Sequence, residues 1–339
     1  MKSSYLYRKA RDMALRLQAK YRKIAAVVHG YPDSVRVEAC NLCQLNCPTC
    51  YMRENDYCGR GAGFLKFDDF KKFIDRHKHI RQIEIANNGE IFLNPELLCI
   101  LEYASKNNVK ITANGGTNFN DVKPDVLEGL VKYNVYSINI AVDGTSQESY
   151  SKYRVRGNID KVWGNVRKVN EFKSKYNTKR PRLLWQFIIM QHNQDEVEES
   201  IRIAKDLNLD IMFKLDWNDG FRPSEPEKLK RLTSLEYFTR AEYAKATGHM
   251  YKSEICHQLW NDPQVDFDGM LLGCCKIPFD DYGVNVFEVG LKQAMKNEAF
   301  VYSKKMLMGK VPINYDNPCA KCPHGHFQWR IEHGDYVRI

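Results

Sequence analysis

The most informative part of the chain is residues 35–50, which read Val35-Arg-Val-Glu-Ala-Cys40-Asn-Leu-Cys43-Gln-Leu-Asn-Cys47-Pro-Thr-Cys50. A strand-like run is followed by a loop in which Cys43, Cys47 and Cys50 are separated by three and then two residues. Three thiolates can hold a four-iron cluster and leave one iron without a protein ligand, so that this iron can bind a small molecule. A structural zinc ion takes four protein ligands, and Cys40 is available as the fourth. The spacing therefore predicts a metal centre, with an iron–sulfur cluster as the main interpretation and zinc as the alternative.

Strand-like and helix-like segments alternate from this loop to residue 216. Strands are predicted at Val35–Glu38, Gln82–Ala86, Val109–Ala113, Ser137–Val142, Leu183–Met190 and Ile211–Leu215. Helical patterns lie between them, at Phe67–His79, Pro95–Asn107, Lys123–Tyr133, Asp160–Lys175 and Asp195–Asn208. Such alternation predicts an α/β fold with a parallel sheet and right-handed crossovers. The Ile, Val and Leu content of the strands further predicts that both faces of the sheet are covered. The pattern leaves open whether the sheet is flat or curled into a partial barrel.

The chain divides into four predicted parts. Residues 1–32 contain a basic amphipathic helix over residues 5–28, and residues 33–216 form the parallel-sheet domain. Residues 217–250 are predicted to be a linker with a helix at Leu232–Ala246. Residues 251–339 form a small cysteine-containing domain, in which the Asp268-Gly269 turn predicts a hairpin.

The positive charge of the chain is concentrated at its start. The net charge is +9, and residues 1–30 alone carry eight Lys or Arg and one acid, which leaves the rest of the chain almost neutral. The main body is therefore not expected to bind nucleic acid. The N-terminal helix is predicted to pack on the outside of the protein, and docking to an anionic membrane surface is the alternative.

The cysteine content indicates a reducing compartment, and the hydropathy of the chain indicates where in the cell the protein is found. Eleven cysteines are an odd number, which argues against a simple disulfide framework and favours metal ligation. We expect Cys99, in the apolar stretch Leu97–Leu101, to be an ordinary core residue. No apolar run approaches the length of a membrane span, and the first residues lack the pattern of a signal peptide. We therefore expect the protein in the cytoplasm.

The stretch of residues 35–50 resembles the signature loop of the radical S-adenosylmethionine (SAM) superfamily, and the resemblance extends over residues 33–216. It implies a partial parallel (βα)6 barrel in which a 4Fe–4S cluster on Cys43, Cys47 and Cys50 binds SAM through its open iron. It also implies that Tyr51, directly after the third cysteine, lies against the adenine of SAM. Cys40 lies outside the triad that the family uses.

The resemblance also implies a set of further SAM contacts, namely Asn88, Gly89, Glu90, Thr112, Asn114, Asp143, Arg154 and Gln186. The segment 88–90 resembles a Gly-Gly-Glu motif that receives the methionine amino group, with Asn88 replacing the first glycine. The segment around Asp143 resembles one that reaches the ribose, and Arg154 corresponds to an arginine that binds the SAM carboxylate. Capping a helix or completing a turn is the alternative role for such residues, and for Asn114 and Asp143 it is equally supported.

A second group of cysteines lies in the C-terminal part of the chain. Cys256, Cys274, Cys319 and Cys322 resemble the SPASM/twitch extension of radical SAM enzymes, which implies one auxiliary 4Fe–4S cluster. The pattern favours Cys274 over Cys275 as a ligand. A zinc knuckle is the alternative, because ligand spacing does not distinguish the metals.

The two predicted clusters imply a reaction class. We expect reductive cleavage of SAM, abstraction of hydrogen from a small molecule and oxidation of a sugar or aminocyclitol, with the auxiliary cluster as electron acceptor. The small molecule could be lipid-linked, and a flavodoxin or ferredoxin is the expected electron donor. The alternatives are peptide modification, epimerisation with Cys58 or Cys275 as hydrogen donor, and a non-catalytic metal-binding scaffold.

Overall fold

A computed structural model describes residues 31–50, 52, 61–216, 222–233, 235–248, 258–275 and 280–322. Several predictions lie outside the described residues. They are the helix over residues 5–28 and the positions of Tyr51, Cys58 and Cys256.

Eight strands form one sheet in the described part of the chain. They are β1 (Ser34–Val37), β2 (Gln82–Glu84), β3 (Lys110–Thr117), β4 (Ser137–Ala141), β5 (Arg182–Ile188), β6 (Asp210–Lys214), β7 (Gln264–Val265) and β8 (Leu271–Gly273). Their order in the sheet is β6-β5-β4-β3-β2-β1-β7-β8. All neighbouring strands are parallel except β7 and β8. The six strands predicted from the sequence are confirmed, with shifts of a few residues at their ends.

Helices connect the parallel strands. They are α1 (Phe67–Arg76), α2 (Leu97–Lys106), α3 (Pro124–Lys132), α4 (Gln147–Tyr153), α5 (Ile159–Lys175) and α6 (Val197–Asp206). The short helix α4 was not predicted. It begins at a capping box in which the Ser146 and Ser149 side chains each accept the backbone N–H of the other. Cys99 is exposed, so its prediction as a core residue is wrong: α2 buries Leu97, Ile100 and Leu101 on its inner side, and Cys99 lies on the opposite side.

The two faces of the parallel sheet differ in chemistry, because side chains alternate between them along each strand. One face packs against the helices and carries the main hydrophobic core, including Val35, Ile83, Ile138 and Trp185. The register places polar side chains on the opposite, inner face of the sheet. They include Arg36, Glu84, Thr112, Asn114, Asn139, Gln186 and Lys214. This inner face is therefore polar, and most of its side chains, including Glu84, Thr112 and Gln186, are buried, whereas Asn114 is exposed.

The predicted hairpin around Asp268-Gly269 is present and extends the sheet. Gly269 has a φ of 93°, which favours glycine, and the Asp268 Oδ1 atom accepts the backbone N–H of Met270. Strands β7 and β8 flank this turn, and β7 pairs in parallel with β1. The C-terminal part of the chain is thereby joined to the strand that precedes the cysteine loop.

The predicted linker helix at Leu232–Ala246 is wrong, because two helices occupy this region: α7 (Pro226–Thr233) and α8 (Arg240–Thr247). The Thr233 hydroxyl donates to the Leu229 carbonyl and accepts the Leu235 N–H, so it completes a turn where the first helix ends. The Thr239 side chain then caps the second helix by accepting the Glu242 N–H.

Short helices complete the C-terminal part: α9 (Gln258–Asn261), α10 (Val286–Val289), α11 (Leu291–Ala294) and α12 (Glu298–Leu307). The His77 Nε2 atom, just past the end of α1, accepts the Leu291 N–H at 2.9 Å. Arg76 donates to the Glu288 carbonyl at 2.6 Å, so two side chains tie this part to α1. Among the described residues, no helix is long and apolar enough to cross a membrane.

Candidate active site

The cysteine loop follows the carboxyl end of β1, the end of a parallel strand where active sites of βα folds are built. Cys47 is buried and packs with Tyr153, Ile188 and neighbouring apolar side chains, and Cys43 and Cys50 lie partly buried against the same group. A backbone hydrogen bond of 3.1 Å from Cys50 N to Cys47 O closes the turn between the last two cysteines. The fold therefore gathers the three predicted ligands in one place.

Each of the three sulfurs receives a hydrogen-bond donor. Asn118 Nδ2 lies 3.6 Å from Cys43 Sγ, and Arg154 Nη1 lies 3.7 Å from Cys47 Sγ. Backbone N–H groups of Leu45 and Met52 donate to Cys43 and Cys50. Burial raises the pKa of Cys43 to about 12 and also raises the pKa of Cys50, so the thiols hold their protons until a metal displaces them.

These residues fit an iron–sulfur cluster better than a single ion. Within the described ranges, no three His, Cys, Asp or Glu side chains are close enough to share one metal ion. One zinc ion would draw its thiolates to within about 4 Å of one another, given a Zn–S bond of about 2.3 Å. A four-iron cluster binds each thiolate on a different iron and so accommodates a wider spread.

An ion pair lies beside the cysteines. Arg154, which follows α4, contacts Oδ2 of Asp143 with both Nε and Nη2 at 2.7 Å. The other oxygen of Asp143 accepts the Ile188 N–H at 2.7 Å, and Asp143 is fully buried. Burial alone would lower the pKa of Arg154, but the Asp143 and Cys47 charges outweigh it and raise that pKa well above its ordinary value. A permanent cation is thus fixed next to Cys47.

The loop after β2 makes a close approach to the cysteine loop. A Cβ atom at Gly89 would lie 2.3 Å from the Cys40 carbonyl oxygen, so only glycine fits there. The Glu90 N–H donates to the Leu42 carbonyl at 2.7 Å. Its buried carboxylate accepts backbone N–H groups of Phe92 at 3.3 Å and Asn118 at 2.5 Å. Burial raises the pKa of Glu90 to about 7, and these hydrogen bonds oppose that rise.

Two cysteines of the second group, Cys274 and Cys319, lie near one tyrosine, Tyr282. Cys274 and Cys319 are buried, and Cys322 is partly buried. The Tyr282 hydroxyl lies 3.4 Å from Cys319 Sγ, and the Tyr282 ring lies close to Cys274. Cys275 instead contacts Gln258 Oε1 at 3.4 Å. This arrangement favours Cys274 over Cys275 as a partner of Cys319.

Solved structures share this fold. Streptococcus suis SuiB bound to S-adenosylmethionine matches with a TM-score of 0.60 at 14% identity, over 92% of this chain and 76% of SuiB. SuiB bound to its precursor peptide SuiA matches with a TM-score of 0.63 at 12% identity, over 95% and 79% of the two chains. This chain has the radical SAM fold. The partial (βα)6 barrel with a SPASM/twitch-type C-terminal extension, which the two resemblances implied, is confirmed.

The sequence comparison is narrower. The Caenorhabditis elegans molybdenum cofactor biosynthesis protein moc-5 is 29% identical over 130 residues. The match covers 37% of this chain, and the chain spans about one fifth of the length of that curated relative. No family model matches the chain.

In this radical SAM fold the remaining predicted contacts lie on the inner face of the sheet or at its carboxyl end. Thr112 donates to Glu84 Oε2 at 2.8 Å, and the exposed Asn114 accepts from Ser137 at 2.8 Å. Gln186 is buried and accepts a hydrogen bond from Lys214. Their contacts with SAM remain predictions, as do those of Tyr51, Asn88, Gly89, Glu90, Asp143 and Arg154.

Two buried carboxylates near the site were missed by the sequence reading. Glu38 accepts the backbone N–H groups of Asn87 at 3.4 Å and Asn88 at 3.0 Å. Glu84 accepts the N–H of Asn114 at 2.7 Å. Burial raises the pKa of Glu38 to about 8 and of Glu84 to about 7. Glu38 therefore orders the loop that follows β2, and Glu84 orders the second half of β3. The available signal was an acid inside an otherwise apolar strand.

Proposed function

We propose that the chain is a radical SAM enzyme that cleaves SAM reductively and removes a hydrogen atom from a polar small molecule. The main support for this proposal is the 3.7 Å contact between Arg154 Nη1 and Cys47 Sγ. This contact places a cation suited to the SAM carboxylate next to the three thiols suited to the cluster.

The protein's own groups have separate tasks in this proposal. Cys43, Cys47 and Cys50 hold the 4Fe–4S cluster, and the donors on their sulfurs keep the thiolates oriented. Arg154 receives the SAM carboxylate while Asp143 fixes the guanidinium. Glu90 has two oxygens with about four acceptor positions and retains acceptor capacity for the methionine amino group beyond its contacts with the backbone N–H groups of Phe92, Asn118 and Phe119. When bound, the cluster and SAM supply a 5′-deoxyadenosyl radical, for which a flavodoxin or ferredoxin provides the electron.

The inner face of the sheet favours a substrate rich in hydroxyl or amino groups. Side chains with several donors or acceptors line it, among them Asn114, Asn139, Gln186 and Lys214. Each of these side chains already has a protein partner, as Gln186 has Lys214, but amide and ammonium groups have several donors or acceptors, which a polar substrate can use and an apolar one cannot. A sugar or aminocyclitol can satisfy them.

Oxidation of such a substrate is the reaction that we favour. A carbon bearing a hydroxyl group gives up one hydrogen atom to form 5′-deoxyadenosine, then one proton to solvent and one electron to an acceptor, and a ketone results. Cys256, Cys274, Cys319 and Cys322 are proposed to hold that acceptor, an auxiliary 4Fe–4S cluster. One SAM is consumed per product.

Iron content and SAM cleavage test the proposal together. Protein reconstituted anaerobically should be brown, hold roughly eight irons as two four-iron clusters require, and form 5′-deoxyadenosine from SAM under reduction. Cys99→Ala is the matched control, because Cys99 is exposed and belongs to neither cysteine group, and it should behave as the wild type. A colourless protein that holds zinc after anaerobic preparation would refute the proposal.

Peptide modification is the second candidate, because the similarity to SuiB with its precursor peptide covers 95% of this chain. The products separate the candidates. A SAM-dependent loss of two hydrogens from a sugar or aminocyclitol supports oxidation, and a SAM-dependent mass change in a peptide supports the second candidate. One deuterium taken up from deuterated water without change of oxidation state would instead indicate epimerisation, with Cys58 or Cys275 as the hydrogen donor.

A further inference from the structure

A chain of buried hydroxyl and amide groups leads to the sulfur of Cys319. The Tyr282 hydroxyl lies 2.8 Å from Ser303 Oγ and 3.4 Å from Cys319 Sγ. The Ser303 hydroxyl lies 2.6 Å from Asn317 Oδ1, and the same Asn317 oxygen accepts the Cys319 N–H at 3.0 Å. The network therefore begins and ends at one cysteine.

The protons of this network can be assigned by counting donors. Asn317 Oδ1 is only an acceptor, and the Ala299 carbonyl, 3.0 Å from Ser303 Oγ, is another. The single hydroxyl proton of Ser303 is therefore directed to one of these two oxygens. Tyr282 then has the only hydroxyl proton that can be shared between Ser303 and Cys319. A cysteine bound to iron is a thiolate without a proton, so it can only accept that hydrogen bond.

The Tyr282 ring is held against Gly273, the residue before Cys274. Gly273 directly precedes Cys274 and has a φ of 78°, and a Cβ atom there would lie 2.5 Å from Cε2 of Tyr282. The ring also stacks edge-on against Phe300, with 5.0 Å between the ring centroids. The ring is thus fixed by packing, and the hydroxyl group is presented to Cys319.

We propose that Tyr282 is a positioning residue of the auxiliary cluster that donates a hydrogen bond to the Cys319 thiolate and thereby raises the reduction potential of that cluster. The inference rests on the proposed function, since it requires a cluster at the second cysteine group. A hydrogen bond to a ligating sulfur withdraws electron density and stabilises the reduced, more negatively charged cluster. A higher potential favours transfer of an electron from a substrate radical.

The test measures the auxiliary cluster alone. In full-length protein that carries Cys43→Ala, Cys47→Ala and Cys50→Ala together, the auxiliary cluster is the only one expected. Its potential is measured by redox titration followed by electron paramagnetic resonance. Adding Tyr282→Phe keeps the ring on Gly273 and removes the donor. At a fixed applied potential, the ratio of reduced to oxidised cluster should fall up to about tenfold, which is about 59 mV for one electron.

Two further variants distinguish a specific effect of the hydrogen bond on the reduction potential from a general loosening of the packing around the cluster. Ser303→Ala leaves Cys319 as the acceptor for the Tyr282 proton. The reduction potential of the auxiliary cluster should therefore rise or stay unchanged in this variant. A general loosening of the packing would instead shift the potential in the same direction in both variants. Tyr302→Phe removes an exposed hydroxyl bonded to the Pro312 carbonyl and should have no effect. An unchanged potential in Tyr282→Phe, or shifts of the same sign in Tyr282→Phe and Ser303→Ala, would overturn the inference. A triple cysteine variant that holds no iron at all would instead overturn the proposed function and the inference with it.

Discussion

Cys47 has the guanidinium of Arg154 as its hydrogen-bond donor at 3.7 Å, whereas the hydrogen-bond partner of Cys319 at 3.4 Å is the neutral hydroxyl of Tyr282. Around the first site lie the ion pair to Asp143 and the buried carboxylate of Glu90. Around Cys319 lie the Tyr282 phenol, the Ser303 hydroxyl and the Asn317 amide. Fixed charges suit the binding of the charged amino-acid part of SAM that we propose for the first site. Neutral hydrogen-bond groups beside Cys319 suit the cluster that we propose as the electron acceptor.

The largest expected effect comes from replacing the cysteine ligands of one site at a time, so that this site loses its iron. Replacing Cys43, Cys47 and Cys50 with Ala should remove about half of the iron and abolish 5′-deoxyadenosine, because SAM then has no iron to bind. Replacing Cys274 and Cys319 with Ala should remove the other half and leave SAM cleavage, while the oxidised product is lost. Iron analysis and chromatography of both products measure this. If the second variant also lost SAM cleavage, the two sites would not be functionally separate.

A smaller effect is expected at the charged donor of the first site. Arg154→Ala should weaken SAM binding by about 1.5–3 kcal/mol, because a charge-assisted contact to the SAM carboxylate is lost. Equilibrium binding of SAM to the reconstituted protein measures the change. Arg182→Ala is the control, because Arg182 also pairs with an aspartate, Asp210 at 2.5 Å, but does so on the surface. Equal SAM affinities in the two variants would contradict the assignment of Arg154.

The smallest expected effect is a pH dependence confined to the first site. Burial raises the pKa of Glu38 to about 8, so between the unfolded pKa near 4.5 and pH 8 the folded protein keeps a proton that the unfolded chain loses. The free energy of unfolding should therefore fall as pH rises through this window, and Glu38→Gln should remove that part of the fall. The difference between the two proteins should change by about 1–2 kcal/mol from pH 6 to pH 8.

Urea unfolding of the metal-free proteins at several pH values measures this dependence. The rise in the pKa of Glu84 acts with the same sign in both proteins and cancels from the comparison. Parallel pH profiles for the wild type and Glu38→Gln would show that Glu38 is ionised in the folded protein.

The sequence predicted the elements of this fold better than it predicted their long-range contacts. The six parallel strands and the loop with Cys43, Cys47 and Cys50 could be located because their signals are local: hydrophobic runs, helical periodicity and cysteine spacing. The polar inner face was missed, since Glu84 and Gln186 are single polar residues inside apolar strands. Only the register between strands shows that such residues share one surface.

The surroundings of the two cysteine groups show the same limit. Arg154 was found because it follows a recognisable turn after the fourth strand. The contacts that join Tyr282, Ser303, Asn317 and Cys319 were not found, because three of them connect residues 14, 21 and 37 positions apart in the sequence. The break between α7 and α8 was missed because Thr233 and Thr239 act through hydrogen bonds that helical periodicity does not report.

The pairing of β7 with β1 has a consequence for the handling of this protein. Without β7, the strand that precedes the cysteine loop would be an open edge with unpaired backbone N–H and C=O groups. Such an edge is a template for pairing with another chain. If the C-terminal cysteines lose their metal and the short hairpin detaches, we expect β1 to become a site of self-association. Oxygen damage to the auxiliary cluster would then show itself as aggregation as well as loss of colour.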